Sequence, residues 1–237
     1  MLQEALSTLL QSYHTLIYSN DPMILVLKFF PFVVFLELPS YMLILLGLAK
    51  RAFRQHAERK AGIHEVRTYF PSVSCIITCS SEGADVLHTI RSLSRQIYPG
   101  WIQILVMVDG AARNRATYEA ALSTVADVRK REKREILVVP KWQRGGRVSS
   151  LNTGLTFATG EIVMALDGDT SFDNDMVWNA TRHFADSSVA CVSGCLRVRN
   201  VFRSLATRLQ AVEYFLSIHL SKTGLSEFNL VNNISGS

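Results

Sequence analysis

The chain contains 237 residues, enough for one substantial domain and a smaller segment. Hydrophobic residues make up 48% of it, which favours a membrane segment over a wholly soluble enzyme. The formal net charge is +5, and five basic residues against one acid fall within Lys50–Lys60. Such asymmetry indicates orientation in a membrane rather than nucleic-acid binding.

Apolar residues at helical spacing predict an amphipathic helix in the first segment, residues 1–22. This segment lacks the basic region of a signal peptide and the arginines of a transit peptide. Two interpretations remain open, a helix that lies on a membrane surface and a helix that packs against a partner helix.

Residues 23–49 are apolar enough and long enough to form a transmembrane segment. Pro31 and Pro39 are expected to kink it, and Glu37 near its middle should face another helix or a polar cavity. The alternative is two short interfacial helices broken at the prolines. The basic linker that follows, residues 50–70, would place the rest of the chain in the cytoplasm, at a plasma or inner membrane.

From residue 71 to residue 237 the pattern is one of alternating strands and helices, which predicts an α/β domain with a mostly parallel sheet covered on both faces. The predicted strands are Val73–Thr78, Ile102–Val108, Ile136–Val139, Ile162–Leu166 and Val189–Leu196. The predicted helices are Ala84–Arg95, Arg115–Lys133, Val148–Ala158, Asn174–Phe184 and Val201–Leu220. The last of these could lie along the membrane surface or pack on the sheet.

The four cysteines form two C-x3-C pairs. Because neither pair has a neighbouring histidine or cysteine motif, zinc is not expected. We interpret them as small apolar residues on or beside strands in a reducing compartment. They are Cys75, Cys79, Cys191 and Cys195.

The fourth predicted strand ends directly in Asp167, Gly168 and Asp169. Ligands of open α/β sheets bind where such strands end. Two carboxylates one residue apart can hold a hard cation such as Mg²⁺ or Mn²⁺, which in turn neutralises phosphates. The pattern alone is also compatible with an ordinary turn.

Other polar groups follow neighbouring strand ends. Ser81 and Glu82 come after the first strand, and Asp109 ends the second. Before the next helix lies a basic, glycine-rich loop, in which Arg144 and Arg147 can pair with phosphate close to a helix N-terminus. A solvated basic loop is the alternative for this segment alone, but together these groups describe a nucleotide-sugar pocket.

These segments resemble the family-2 glycosyltransferases, and in particular their membrane-bound processive members, the cellulose, hyaluronan, chitin and poly-N-acetylglucosamine synthases. The resemblance runs from Pro71 to the end of the chain. It rests on the order and spacing of six segments: Pro71–Glu82, Val108–Gly110, Gly145–Leu155, Asp167–Asp169, Gln210–Tyr214 and Ser235–Ser237.

The resemblance implies a Rossmann-like nucleotide-diphospho-sugar transferase fold, a UDP-sugar donor, Mg²⁺ or Mn²⁺, and inversion at the anomeric carbon to give a β-linked product. By carry-over, Glu82 and Asp109 would contact the nucleoside, and Arg147, where the family often has Lys, would face the uridine or the diphosphate. Asp167 would support nucleotide and metal, and Asp169 would be the more direct metal ligand. The acceptor would be a growing polysaccharide or a lipid-linked sugar.

Two departures from the family pattern qualify this expectation. Ser80-Ser81 replaces the usual Tyr-Asn-type turn. The family's catalytic base, in a Thr-Glu-Asp-type motif, and its Gln-x-x-Arg-Trp motif would both fall beyond Ser237. We therefore expect this chain to hold the donor and metal site, to lack the base, and to catalyse little by itself.

Three other functions are alternatives to glycosyl transfer. A haloacid-dehalogenase-type phosphotransferase also places Asp-x-Asp after a strand, but there the motif opens its domain. A membrane-tethered scaffold or nucleotide-sugar-binding domain without catalysis is compatible with the missing base. No nucleic-acid partner is expected, because the basic run Arg129–Arg134 is interrupted by Glu132 and lacks interleaved aromatic residues.

Overall fold

The computed structural model describes residues 2–18, 21–61 and 69–231. They divide into a helical unit, formed by the N-terminal helices and residues 195–231, and a sheet unit, formed by residues 69–194. The segment Ser235–Ser237 and part of the predicted linker lie outside the described residues.

The helical unit begins with α1 (Leu2–Tyr18) and α2 (Pro22–Phe32), followed by a π-helical turn at Val33–Glu37 and by α3 (Leu38–Lys60). From Pro22 to Lys60 the described chain is one helical stretch, long and apolar enough to cross a membrane. The alternative of two helices separated at the prolines is therefore wrong, whereas membrane crossing stays a prediction.

The π-helical turn lies between Pro31 and Pro39 and explains how the helix continues past both. Each proline lacks the N–H that an α-helix needs, so the i→i−4 ladder cannot be regular there. A π-turn re-pairs the backbone groups with one extra residue. The hydroxyl of Ser40 also donates to the carbonyl of Leu36 at 2.7 Å.

The sheet unit is built on four described strands in the order β3-β2-β1-β4, and every neighbouring pair is parallel. The strands are β1 (Val73–Cys79), β2 (Ile102–Asp109), β3 (Arg134–Lys141) and β4 (Ile162–Asp167). The connecting helices are α4 (Val86–Ser94), α5 (Arg115–Ser123), α6 (Val125–Arg129), α7 (Gly146–Phe157) and α8 (Met176–Thr181).

Helices cover both faces of this sheet, as the sequence predicts. On one face, alternate residues of β1 and β2 pack with α4, whose Val86, Ile90 and Leu93 are fully buried at helical spacing. On the other face, Ile76 and Leu105 pack beneath α7. Burial on both faces explains why the two central strands are continuous apolar runs.

The predicted fifth strand, Val189–Leu196, is wrong: these residues form no strand, and none of them is buried. Their composition suits a strand, but β4 pairs only with β1 in the described sheet, so the segment gains no ladder hydrogen bonds. Consequently Cys191 and Cys195 are exposed, whereas Cys75 and Cys79 are buried in β1 as interpreted.

The helical unit closes with α9 (Leu205–Tyr214), a π-helical turn at Phe215–Leu220, and α10 (Ser221–Ser226). Ser204 caps the first of these helices by accepting from the Thr207 N–H. The apolar stripe is exposed at Leu205, Leu209, Val212 and Leu216.

The end of this helix packs against α3. A Cβ added to Gly47 would lie 2.0 Å from the Gly224 carbonyl oxygen, so the two backbones approach closely. Arg54 pairs with the carboxylate of Glu227 at 2.6 Å, and Lys50 donates to the Glu227 carbonyl at 2.7 Å. These contacts fix α10 beside the basic end of α3.

Candidate functional site

The sheet order places a crevice between β1 and β4. The chain runs outward from β1 to β2 and β3, and then returns to the opposite side of β1 for β4. Ligands of open parallel sheets bind at such a switch point, outside the carboxyl ends of the strands. The residues that follow these ends are therefore the candidate site, as the sequence predicts.

Asp109, at the end of β2, is the most firmly held group of this edge. One carboxylate oxygen accepts from the Lys141 ammonium at 2.9 Å and from the Gly145 N–H at 2.9 Å, and the other accepts from the Gly146 N–H at 2.8 Å. The side chains of Asp109 and Lys141 are 6% and 13% exposed. This buried carboxylate, with three of its roughly four acceptor sites occupied, ties the basic loop to the sheet.

Two opposing effects act on the pKa of Asp109. Burial alone would raise the pKa, but the hydrogen bonds from Gly145, Lys141 and Gly146 and the charge of Lys141 outweigh it and lower the pKa below its ordinary value. Asp109 is therefore ionised at neutral pH.

The backbone N–H groups of the two glycines in the basic loop bind an anion, and that anion is the carboxylate of Asp109. Gly146 opens α7 with φ +80°, a conformation that favours glycine. Its N–H and that of Gly145 point at Asp109 rather than into solvent. The loop is thereby preorganised, with Arg144 and Arg147 on its outer side.

The turn after β4 is fixed at its middle residue. The Gly168 N–H donates to the Thr78 carbonyl at 3.1 Å, and the Gly168 carbonyl accepts from the buried Thr89 hydroxyl at 2.8 Å. A Cβ at Gly168 would lie 2.8 Å from the Cys79 sulfur, so only glycine fits. The carboxylates on either side are thus held at the end of β4.

The two aspartates of this turn differ in their surroundings. Asp167 is partly exposed and pairs with Arg147, whose Nη2 lies 3.0 Å from Oδ1. Asp169 is exposed, with its Oδ1 3.5 Å from the Thr170 hydroxyl. No cluster of three metal-ligating side chains is found among the described residues. Two carboxylates suit a cation that completes its oxygen shell with phosphate and water.

The acidic groups of the edge converge on Cys79. Burial raises the pKa of its thiol, and the negative charges of Glu82, Asp169 and Asp167 raise the pKa further. The residues that follow β1 and β4 therefore share one electrostatic environment. The ends of β1 and β4 are therefore close to each other.

The remaining predicted site residues are more exposed. Ser81 lies exposed after β1, and the Glu82 carboxylate accepts from the Ser80 N–H at 2.6 Å. Arg144 is exposed, and its Cβ lies 3.3 Å from the position a Cβ would take on Gly110. These side chains belong to the segments that follow β1 and β3.

Sequence reasoning missed three supporting residues. Lys141 holds Asp109 and also contacts the Ser149 hydroxyl at 2.9 Å. Asn114 donates to the Asp109 carbonyl at 2.7 Å, and Thr89 anchors Gly168. Only Lys141 had a signal in the sequence, because it stands at the end of a predicted strand in the basic loop.

Thr89→Val is expected to lower the free energy of unfolding by about 1–3 kcal/mol, because the Gly168 carbonyl would stay buried without its donor. Thr89→Ser keeps the hydroxyl and serves as the matched control. Denaturant unfolding followed by tryptophan fluorescence measures the difference, since Trp101, Trp142 and Trp178 all lie in the sheet unit. Equal stability of the two variants would contradict the anchoring role.

Comparison with known proteins gives a family match and several relatives. The model of Glycosyl transferase family 2 matches residues 74–235. An N-acetylglucosaminyltransferase from Rhizobium leguminosarum bv. viciae is 28% identical over 162 residues, 68% of this chain and 37% of the relative. The poly-beta-1,6-N-acetyl-D-glucosamine synthase of Staphylococcus epidermidis is 28% identical over 165 residues, 69% of this chain and 38% of the relative.

Solved structures with a similar arrangement include a mannosyltransferase, PcManGT from Pyrobaculum calidifontis, in complex with GDP-Man and Mn²⁺. It is 25% identical with a TM-score of 0.46, over 70% of this chain and 46% of the other. S. aureus TarS 1-349 in complex with UDP is 16% identical with a TM-score of 0.40, over 69% and 57% of the two chains.

The family match covers more than half of the chain and includes all the strand ends described above. It also leaves the haloacid-dehalogenase alternative without support, since the Asp-x-Asp turn follows the fourth strand here instead of opening the domain. The chain spans little more than a third of the curated relatives named above. On the fold, the parallel sheet and the matched residues, the chain belongs to glycosyltransferase family 2.

Proposed function

We propose that the chain is the donor-binding part of a membrane-bound inverting glycosyltransferase that moves a sugar from a UDP-sugar to a growing β-linked polysaccharide. The observation that carries the proposal is that the candidate groups lie at one edge of the sheet. There the fixed Asp109, the Asp167–Asp169 turn and the arginines of the basic loop lie at the ends of neighbouring strands.

In this proposal the nucleoside is bound by residues that follow β1 and β2. Ser81, Glu82 and Asp109 supply hydrogen-bonding groups beside the crevice. Asp109 keeps its bonds to the loop, and its ionised state at neutral pH makes it an acceptor for a nucleobase N–H.

The diphosphate is bound by cations of the basic loop. Arg144 is exposed and faces outward, and Arg147 at the start of α7 already pairs with Asp167. Guanidinium groups bind phosphate oxygens in a bidentate manner. Arg147 can therefore contact the Asp167 carboxylate and a phosphate of the donor at the same time.

A divalent cation, Mg²⁺ or Mn²⁺, would be held by Asp169 and supported by Asp167, since exposed carboxylate oxygens suit hard cations. When bound, such a cation supplies charge neutralisation for the UDP leaving group. Asp169 is accessible, whereas Asp167 has one oxygen paired with Arg147. The residues present fit this cation together with a diphosphate ligand.

Inverting transfer needs a base that removes the proton of the acceptor hydroxyl. We propose no described residue for this role. The donor and metal groups above position the leaving group for the attack.

The relatives named N-acetylglucosaminyltransferase and poly-beta-1,6-N-acetyl-D-glucosamine synthase favour N-acetylglucosamine as the transferred sugar. The helical stretch Pro22–Lys60 is the proposed membrane anchor, with the sheet unit on its basic, cytoplasmic side. The acceptor would then be a polysaccharide or a lipid-linked sugar at the cell membrane.

Donor choice is tested by calorimetry on the full chain in detergent micelles with Mn²⁺. We expect UDP-N-acetylglucosamine to bind more tightly than UDP-glucose and GDP-mannose. Tighter binding of GDP-mannose would contradict a uridine donor.

A further inference from the structure

A cleft in the sheet unit, between α4 and α6, is lined by four cations and one acid among its nine residues. Its cavity, of about 300 Å³, has Arg91 and Arg95 on one wall and Lys130 and Arg131 on the other. Asp127 is the one acid among its described lining residues, and it pairs with Lys130 at 3.5 Å. The cleft therefore has more positive charge than its own carboxylate can neutralise.

Three of these cations take no part in holding the fold. The neighbouring Arg134 shows what a structural arginine does here, since its guanidinium donates to four backbone carbonyls. In the described part of the chain, no hydrogen bond or ion pair engages the guanidinium groups of Arg91, Arg95 and Arg131. Their donors remain available to a ligand.

The position of these arginines at helix ends does not explain the cleft. The C-terminal dipoles of α4 and α6 favour cations at their ends. They do not require that cations at the ends of both helices line one cavity, where these exposed like charges repel each other weakly. An anion in the cleft would remove that repulsion.

A second cavity adjoins the first through the same two arginines. It measures about 450 Å³ and is lined by His88, Arg91 and Arg95 together with Ser171 and Asn174. The last two residues belong to the segment just after the Asp167–Asp169 turn. The space on both sides of the arginines can hold a ligand with more than one anionic group.

We propose that the cleft between α4 and α6 binds a phosphate-bearing ligand through Arg91, Arg95 and Arg131, at a site separate from the donor pocket. Guanidinium groups pair with phosphate oxygens through two parallel hydrogen bonds, and several of them together select a dense anion over a single charge. The ligand chemistry is shared by soluble phosphorylated metabolites and by phospholipid headgroups.

The site is tested by calorimetry of inorganic pyrophosphate binding to the full chain in detergent, with EDTA present. The background carries Arg144→Gln and Arg147→Gln, which removes the cations of the proposed donor pocket. We expect Arg91→Gln with Arg95→Gln to weaken binding at least about tenfold. The matched control is Arg129→Gln, on the same helix α6 but outside the cavity lining, and it should change binding less than about twofold.

An equal loss in the control would show general charge attraction and overturn the proposal, as would unchanged binding in the double variant. Competition with monomeric short-chain phosphatidic acid assigns the source. If the lipid displaces pyrophosphate, the ligand of this site is a lipid headgroup. If it does not, the ligand of this site is a soluble molecule. Because the cleft shares no residue with the donor pocket, failure here leaves the proposed function untouched.

Discussion

Asp109→Asn is expected to lower the free energy of unfolding of the sheet unit by about 3 kcal/mol. The carboxylate is 6% exposed and accepts from Lys141, Gly145 and Gly146. An amide cannot neutralise the nearly buried Lys141 ammonium, and an uncompensated buried charge costs about 3–5 kcal/mol. Denaturant unfolding followed by tryptophan fluorescence measures the loss.

The matched control is Asp127→Asn, which breaks an ion pair with Lys130 whose side chains are 81% and 78% exposed. That pair is solvated, so its loss should be small beside that at position 109. Comparable losses in the two variants would show that the Asp109 contacts are not maintained in solution.

The same carboxylate predicts a pH dependence. Its pKa is lower in the folded chain than in the unfolded chain, so the unfolded state binds the proton more readily. The contribution of Asp109 is present above the unfolded pKa of about 4 and is lost as the pH falls through the lower folded value. Asp109→Asn should therefore flatten the acid side of the stability profile, measured below about pH 4.

Arg147→Ala is expected to weaken UDP binding by about 10- to 100-fold while changing stability little. The ion pair with Asp167 is partly exposed, since the Arg147 side chain is 44% exposed and the Asp167 side chain 34%. Because solvent screens the pair, it contributes at most about 1 kcal/mol to the free energy of unfolding. A charge-assisted hydrogen bond to phosphate is worth about 1.5–3 kcal/mol, which gives the expected loss of affinity.

Arg115→Ala is the control for this prediction, because Arg115 forms an exposed ion pair with Glu119 at 3.0 Å within α5, outside the basic loop. It should leave UDP affinity unchanged. Arg147→Lys should restore part of the affinity through its charge. If Arg147→Ala and Arg115→Ala reduced UDP affinity equally, the proposed contact between Arg147 and phosphate would be contradicted.

The strands and their convergent ends follow from the sequence because burial on both faces leaves a clear apolar pattern. The central strands β1 and β2 are the clearest case. In Ile162–Leu166 the run is also apolar and closed by Asp167-Gly168-Asp169, although Val163 and Ala165 are exposed in the structure. Parallel order then brings the ends of β1, β2 and β4 to one edge without further information.

Contacts that depend on register could not be predicted. Lys141 reaches Asp109 because β2 and β3 pair in a register that sets the two residues side by side. Thr89 reaches Gly168 across 79 positions of sequence, through the packing of α4 beneath the turn. Neither residue carries a local pattern that indicates its partner.

One local signal misled, and another left two alternatives open. Val189–Leu196 has the composition of a strand but finds no partner in the described sheet. Pro31 and Pro39 carry the signal of helix breaks, but the π-helical turn between them preserves the helix. In both cases backbone hydrogen bonding decided the structure over residue propensity.

The central claim, a metal-assisted UDP site at the ends of β1, β2 and β4, is tested most directly by calorimetry of UDP binding to the full chain in detergent, with and without Mn²⁺. We predict Mn²⁺-dependent binding that Asp169→Asn abolishes and that Asp175→Asn, a nearby exposed control, retains. A folded chain that binds UDP equally with and without Mn²⁺, or equally after Asp169→Asn, would contradict the assignment.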